Sequence, residues 1–542
     1  MPEEKSLTKN LPDPLMPKAG GPERTTLKND VPLWQAILPI AFLAGLISYG
    51  LILLPMMTGD SENRLPLENI FILAAVFAIA QLLFTGHKWK DVQASIVSKL
   101  ARALPAFFIL FSIGLIIASW MICGTIPMLV YYGLKFIDPR FLYLLAFVAP
   151  IIFSTLTGTS WGSAGTIGVV LIGIAAALDA NLAIVAGAVV GGAYFGDKLS
   201  PLSDTTNIAS LAAEVDVYDH IQSMLWTTIP SAVFAASVYL VVGLVDPPAA
   251  ASGEIESVEL FLTSLESLFR FNPLLLIPPV VVLAGSLLRK PIIPTLFTSI
   301  VAACVLAVLF QPFSFQDLSA TMHKGFQVTM SEAWVPSGIA DDALRNALVT
   351  AFEMTGQPSF LEMIRQEDLR IAEAAKESAN SERIQVLLNR GGLYALNDAI
   401  ITAFMVFIFI GAIDHISAMK RVVEAALKFA KRQWMTIVAS LLATGFVVGL
   451  TSNVYASSFI VGDAFKSKYD QMKIPRNILS RSLEDTGTML ETLLPFSLAT
   501  IYMSETLGVS FWDYVSWQLL SIANIVLAFA YALGRGVKSS AK

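Results

Sequence analysis

Charge is what this 542-residue chain has least of: Asp, Glu, Lys and Arg make up 14% of it, against about a quarter in an ordinary soluble domain. With 55% hydrophobic residues and a mean hydropathy of +0.66, it does not read as a soluble globular protein. The formal net charge of −6 supplies no basic face, which excludes nucleic acid as a partner. Cysteine is nearly absent, and Cys123 and Cys304 stand apart in apolar surroundings. Neither a disulfide framework nor a Cys/His metal site is therefore expected. Residues 1–29 are polar and rich in Pro and Gly. They lack the apolar core of a cleavable signal peptide and read as a disordered cytoplasmic tail.

What the chain does have is a series of apolar runs near the roughly 20 residues that cross a bilayer, without the period-2 alternation of a β-barrel. This predicts an all-α polytopic membrane protein. Continuous spans are predicted at 33–54, 66–86, 104–122, 221–244, 272–288, 291–310, 396–417 and 512–533. With the N-terminus in the cytoplasm, four basic clusters fall inside: Lys88 to Arg102, Arg289 and Lys290, Lys420 to Arg432, and Arg535 with Lys538. The acidic connections 60–68 and 246–266 then fall outside, as the positive-inside rule requires. Both termini become cytoplasmic.

That bookkeeping closes only if two apolar stretches enter and return on one side. They are 141–178, interrupted by TGTSWGSAGT at 157–166, and 434–465, interrupted by GLTSNVYASS at 449–458. Two more stretches read as broken crossings: 182–213 at GDKLSPLSDTTN (196–207) and 478–506 at LEDTGTML (483–490). Each half thus runs span, amphipathic connector, re-entrant hairpin, broken helix, span, in opposite directions. The predicted fold is an inverted-repeat transporter with two re-entrant hairpins and two broken helices, its site where the breaks meet near the midplane. Its parts are a first half 30–245, an external loop 246–271, spans 272–311, an external polar insertion 312–395, a second half 396–535 and a cytoplasmic tail 536–542. In this register Thr159 and Ser160 correspond to Thr451 and Ser452, and residues 203–206 to 484–488.

A charge inside the membrane costs roughly 2.5 to 3.5 kcal/mol on insertion scales, so Asp204 and Asp485 need a function or a partner. We expect them to hold Na+ together. Thr159, Ser160, Thr205, Thr206 and Asn207 on one side, and Thr451, Ser452, Asn453, Thr486 and Thr488 on the other, supply the oxygen ligands hard cations prefer. Helix capping is the competing explanation for both acids. Asp197 is an ion relay or the partner of Lys198. Lys198 neutralises the carboxylates of an empty site or snorkels toward the cytoplasm. Glu491 and Arg481 read as a structural pair. A carboxylate that holds either a cation or a proton performs exchange chemistry. No cofactor is expected; the transported species are Na+ and H+, and the partners are the lipid bilayer and small ions, with an organic anion and a homodimer left open.

GDKLSPLSDTTN, with TGTSWGSAGTIG upstream, resembles the signature of the NhaC family of Na+/H+ antiporters, within the ion transporter superfamily, and the likeness extends over about 33–535. The resemblance implies exchange of Na+ for H+ in a bacterial inner membrane, with malate/lactate exchange as a variation. It also places Asp197, Asp204, Thr205, Thr206, Asn207, Thr159 and Ser160 at the site. The chain departs from the family in having Leu494-Pro495-Phe496 where Pro-Trp is expected, and in the length of its polar segment between 310 and 396. Two other classes fit less well. Residues 158–162 match G-x-S-x-G, the nucleophile elbow of serine hydrolases, but His87, His220, His323 and His415 are all predicted away from hairpin depth. A channel would use polar breaks without requiring two half-sites that carry titratable acids.

Overall fold

The computed structural model describes residues 32–60, 63–248, 255–330, 383–427, 430–451 and 453–534. Both predicted tails, most of the insertion 312–395 and Ser452 lie outside them. Among the described residues there are helices and no strands, and ten helices are long and apolar enough to cross a membrane, or up to twelve if each of two bent pairs is one span. The predicted polytopic all-α class holds.

Helix α1 is Leu33–Ile47, prolonged through a π-helical stretch to Thr58; α2 is Leu67–Phe84, α3 Trp89–Ile122 and α4 Thr125–Phe136. The predicted span at 104–122 is only the distal part of α3, because the basic residues before it are helical: Lys99 is buried and reaches Asp414 at 3.4 Å. The first hairpin is α5 (Leu142–Thr157) and α6 (Ser160–Ala177). It is followed by α7 (Leu182–Leu199), α8 (Asp204–Ala213), α9 (Val217–Val245), α10 (Ile255–Leu268), α11 (Ile277–Leu287), α12 (Ile292–Phe310) and α13 (Phe315–Lys324). The predicted external loop 246–271 thus contains a helix, α10. The second half comprises α14 (Asn397–Asp414), α15 (Ala418–Leu427), α16 (Gln433–Thr451), α17 (Val454–Gln471), α18 (Arg476–Thr486), α19 (Leu498–Leu507) and α20 (Leu519–Gly534).

An offset of 294 residues brings the hairpins and broken helices of the two halves into one register. It carries the helix-capping Thr159 onto the helix-capping Asn453 (453 − 159) and Ser160–Ala177 onto Val454–Gln471. Asp179 falls on Lys473, both at φ 53°. Asp204–Ala213 falls on Leu498–Leu507 (498 − 204), and the left-handed Glu214 on the left-handed Gly508. No residue is inserted or lost between hairpin tip and last break. This corrects the register read from the sequence: residues 203–206 correspond to 497–500, and Thr159 and Ser160 to Asn453 and Val454. Gly487 only bends α18, which resumes over Thr488–Glu491. The second break lies at 492–497, where Pro495 occupies the place of Pro201.

Each interruption has a local cause. Proline bars the helical region to the residue before it, and Ser200 accordingly leaves α7 at ψ 127°. At the first tip Gly158 turns left-handed (φ 69°), and the Thr159 hydroxyl accepts the Gly162 N–H at 3.2 Å. Small residues then let the hairpin press on α7. A Cβ on Gly192 would stand 2.2 Å from the Phe147 carbonyl oxygen, and one on Gly196 2.4 Å from the Thr155 nitrogen. Ser154 donates to the Ala193 carbonyl (2.5 Å) and Ser200 to that of Thr155 (2.9 Å). The tip is therefore fixed beside the break. The insertion's C-terminal end packs against α3: Leu388 is buried and Gly392 N–H donates to the Gly114 carbonyl.

Candidate functional site

The last turn of α7 delivers Asp197 and Lys198, both buried. Their side chains go separate ways. The Asp197 carboxylate accepts Ser160 Oγ at 2.7 Å on Oδ2 and Ser203 Oγ at 2.5 Å on Oδ1, so the hairpin tip and the helix break each supply one hydroxyl. Ser203 Oγ lies 3.0 Å from Thr205 Oγ1. Thr206 Oγ1 donates to the main-chain carbonyls of Asp197 (3.1 Å) and Lys198 (2.9 Å), which closes the frayed end of α7. Tyr194, one turn back, is fully buried and its hydroxyl has no hydrogen-bond partner.

Lys198 crosses to the other repeat. Its Nζ donates to Asp485 Oδ1 at 2.5 Å and to Asn524 Oδ1 at 3.1 Å, with both side chains of the ion pair shielded from solvent. Asp485 Oδ1 also accepts from Thr227 (2.9 Å) and Asn524 Nδ2 (3.0 Å), and Oδ2 faces Arg481 Nε at 3.7 Å. Good geometry and extra hydrogen bonds are what a buried pair requires to offset desolvation. The pair ties α7, α9, α18 and α20 together where the repeats cross. Lys198 does not snorkel and does not pair with Asp197.

Several sequence expectations are corrected here. Asp204 is exposed at the first turn of α8, where its charge suits the positive end of the helix, and it shares no pocket with Asp485, whose oxygens Lys198 and Arg481 occupy. Arg481 therefore pairs with Asp485, not Glu491. Thr486 donates to the carbonyls of Leu441 and Ser482, and Thr488 to Glu484 Oε2. Thr451 donates to the Asn453 carbonyl, and Asn453 Oδ1 accepts the Ala456 N–H, so the second tip closes on itself. Asn207 bonds the carbonyls of Pro201 and Ser203 and so braces the break. Ser160 of the G-x-S-x-G match faces Asp197, and the buried His220 bonds Ser480 rather than Ser160.

Sequence reasoning missed Ser203, Thr227, Asn524, Tyr194 and Glu484. The signal for the first was present: DKLSPLS (197–203) and ETLLPFS (491–497) place a proline four and a serine six residues after an acid. The structure repeats the contact too, since Thr500 Oγ1 donates to the Glu491 carbonyl at 3.1 Å as Thr206 does to that of Asp197. Outside the spans, Glu214 receives Lys466 and Arg476, whose hydrogen bonds hold its carboxyl below the usual carboxylate range.

The profile of the Na+/H+ antiporter family matches residues 192–356 and 370–534. An uncharacterized Na+/H+ antiporter of Haemophilus influenzae is 37% identical over 90% of this chain and 94% of its own length. The Na+/H+ antiporter NhaC of Bacillus subtilis is 31% identical over 84% and 88%. The malate-2H+/Na+-lactate antiporter of the same organism is 30% identical over 86% and 89%.

Proposed function

The chain belongs to the Na+/H+ antiporter family, and from that premise we propose that it exchanges Na+ for H+ at Asp197. It is a multi-pass membrane transporter. The observation that carries the reading is the Asp197 carboxylate, buried at a helix break and held by one hydroxyl from the hairpin tip and one from the break. Two hydroxyl donors keep a carboxylate in place without neutralising it, and the same oxygens, with Thr205 and the unpartnered Tyr194 hydroxyl, form an oxygen set suited to a hard monovalent cation. A proton on Asp197 removes the negative charge that binds Na+, so the two ions exclude one another. If the repeats rearrange only when that charge is neutralised, inward movement of one ion drives outward movement of the other.

Lys198 and Asp485 serve this scheme as a latch. The cation is spent on the other repeat, so Asp197 keeps its charge for the transported ion. This also favours Na+/H+ exchange over organic-anion exchange of the malate/lactate kind, because Asp485 already engages both basic side chains beside the acids, Lys198 and Arg481. The basic clusters orient both termini to the cytoplasmic side of a bacterial inner membrane. The test is reconstitution in liposomes with a trapped pH dye. Sodium pulses should move protons through the wild type and not through Asp197→Asn, while malate and lactate move none. Sodium-driven proton movement at wild-type rate in Asp197→Asn would refute the assignment.

A further inference from the structure

Helices α15 and α16 enclose a groove, a cavity of about 490 Å³ lined by apolar side chains. Val422 and Val423 of α15 form one wall; Trp434, Val438, Leu442 and Phe446, four residues apart and so on one face of α16, form the other. The helix α16 is long and apolar enough to cross the membrane, and Leu442 and Phe446 are exposed on it, so the groove opens toward lipid. The twelve positions from Trp434 to Phe446 (446 − 434) rise about 18 Å. That is close to one leaflet, about 15 Å, of a hydrocarbon core about 30 Å thick.

One end of the groove is basic. Lys431 and Arg432 are exposed just before Trp434, and Lys420 and Arg421 precede Val422. Residues 418–434 hold five basic residues and one acid, Glu424, so their field favours an anion. Trp434 stands between the charged end and the apolar run, the place of an aromatic residue at a membrane–water interface.

We propose that this groove binds an anionic phospholipid, one acyl chain lying along Trp434, Val438, Leu442 and Phe446 and the phosphate meeting Lys431 and Arg432. The proposal does not depend on which ion the protein carries. Lipid tails are as apolar as leucine, so burial alone gives a chain little reason to leave the bulk bilayer. The preference comes from charge, roughly fivefold for each Lys or Arg near the membrane surface. The groove holds the chain that the headgroup brings. The same helix anchors α18, because the Leu441 carbonyl accepts Thr486 Oγ1 at 2.9 Å, next to Asp485. A seated lipid therefore bears on the helix that braces the latch between the repeats.

The test is quenching of tryptophan fluorescence in the full-length protein in phosphatidylcholine vesicles doped with brominated phosphatidylglycerol or brominated phosphatidylethanolamine of identical chains. The Trp434 signal is the difference between the wild type and Trp434→Phe. Its half-quenching should need roughly 25-fold less phosphatidylglycerol than phosphatidylethanolamine, about fivefold for each of Lys431 and Arg432. K431Q/R432Q should bring the two lipids together. Ala439→Phe, which fills the groove from another lining position, should abolish the difference with both cations in place, and soluble glycerol phosphate should displace neither lipid. Equal quenching by the two lipids in the protein with its native groove would overturn the proposal. So would a preference that survives in K431Q/R432Q, or one that survives in A439F and so reflects surface charge alone. Displacement by glycerol phosphate would mark an anion site without a chain site. A Trp434 quenched by neither lipid would mean that a second copy covers the groove, and either result would likewise refute the assignment.

Discussion

Removing the Lys198 charge, by Lys198→Met, should destabilise the protein by about 3 to 5 kcal/mol, the range found when one partner of a buried ion pair is deleted. The structure explains why. Neither side chain of the pair meets solvent, and Asp485 would keep only the neutral donors Thr227 and Asn524, with Arg481 at 3.7 Å. At about 1.4 kcal/mol per factor of ten, the folded-to-unfolded ratio should fall by roughly two to three and a half orders of magnitude. Lys135 provides an internal control, because its pair with Glu266 is 3.9 Å long and about half exposed on both sides; exposed pairs contribute about 0 to 1 kcal/mol. The assay is equilibrium unfolding of the purified protein in mixed micelles by dodecyl sulfate, read by tryptophan fluorescence. Asp485→Asn added to Lys198→Met should recover part of the loss, since the orphaned anion is then gone. A Lys198→Met protein as stable as Lys135→Met, or a double variant worse than the single one, would refute the reasoning.

Three further outcomes follow from the same contacts. Ser203→Ala should weaken apparent Na+ affinity about tenfold, the value of one charge-assisted hydrogen bond of about 1.5 kcal/mol, in a sodium titration of liposome exchange; an unchanged half-saturation would count against Ser203 as a site residue. Thr206→Val and Thr500→Val should each cost about 1 kcal/mol of stability in the micelle assay, because equivalent hydroxyls hold equivalent carbonyls. Glu214 is held below its ordinary range first by Lys466 and then by Arg476, so its contribution is present above the unfolded Glu value of about 4.3 and is lost as pH falls through the lower folded one. Hydrogen exchange at the α8–α9 corner should accelerate in that acid range, and at neutral pH in Glu214→Gln; no difference in that variant would remove the clamp from the account.

Hydrophobic length and charge asymmetry made the helical membrane class and most spans legible, and Gly, Pro and hydroxyl residues marked both hairpins and the first break. The second break was misread because LEDTGTML looks polar. Polarity proved the weaker signal there: Gly487 bends the helix and Pro495 ends it, as proline's lack of a donor and its steric clash require. The site was read through its most conspicuous acid. Asp204 stands among Ser and Thr in the sequence, but Ser203 turns to Asp197, Thr206 and Asn207 brace backbone carbonyls, and the helix start places Asp204 outward. Asp197, in the last turn of a small-residue helix, is buried because Gly192 and Gly196 admit the hairpin. Which acid Lys198 chooses could not be read from the chain, since the choice depends on how the repeats cross.

The claim on which the account turns is that one carboxylate, Asp197, holds Na+ and H+ in alternation. Equilibrium 22Na+ binding to the purified wild type and Asp197→Asn across a series of pH values tests it most directly. The account predicts binding that tightens as pH rises in the wild type and vanishes in the variant. Binding of equal strength and equal pH dependence in both would contradict it.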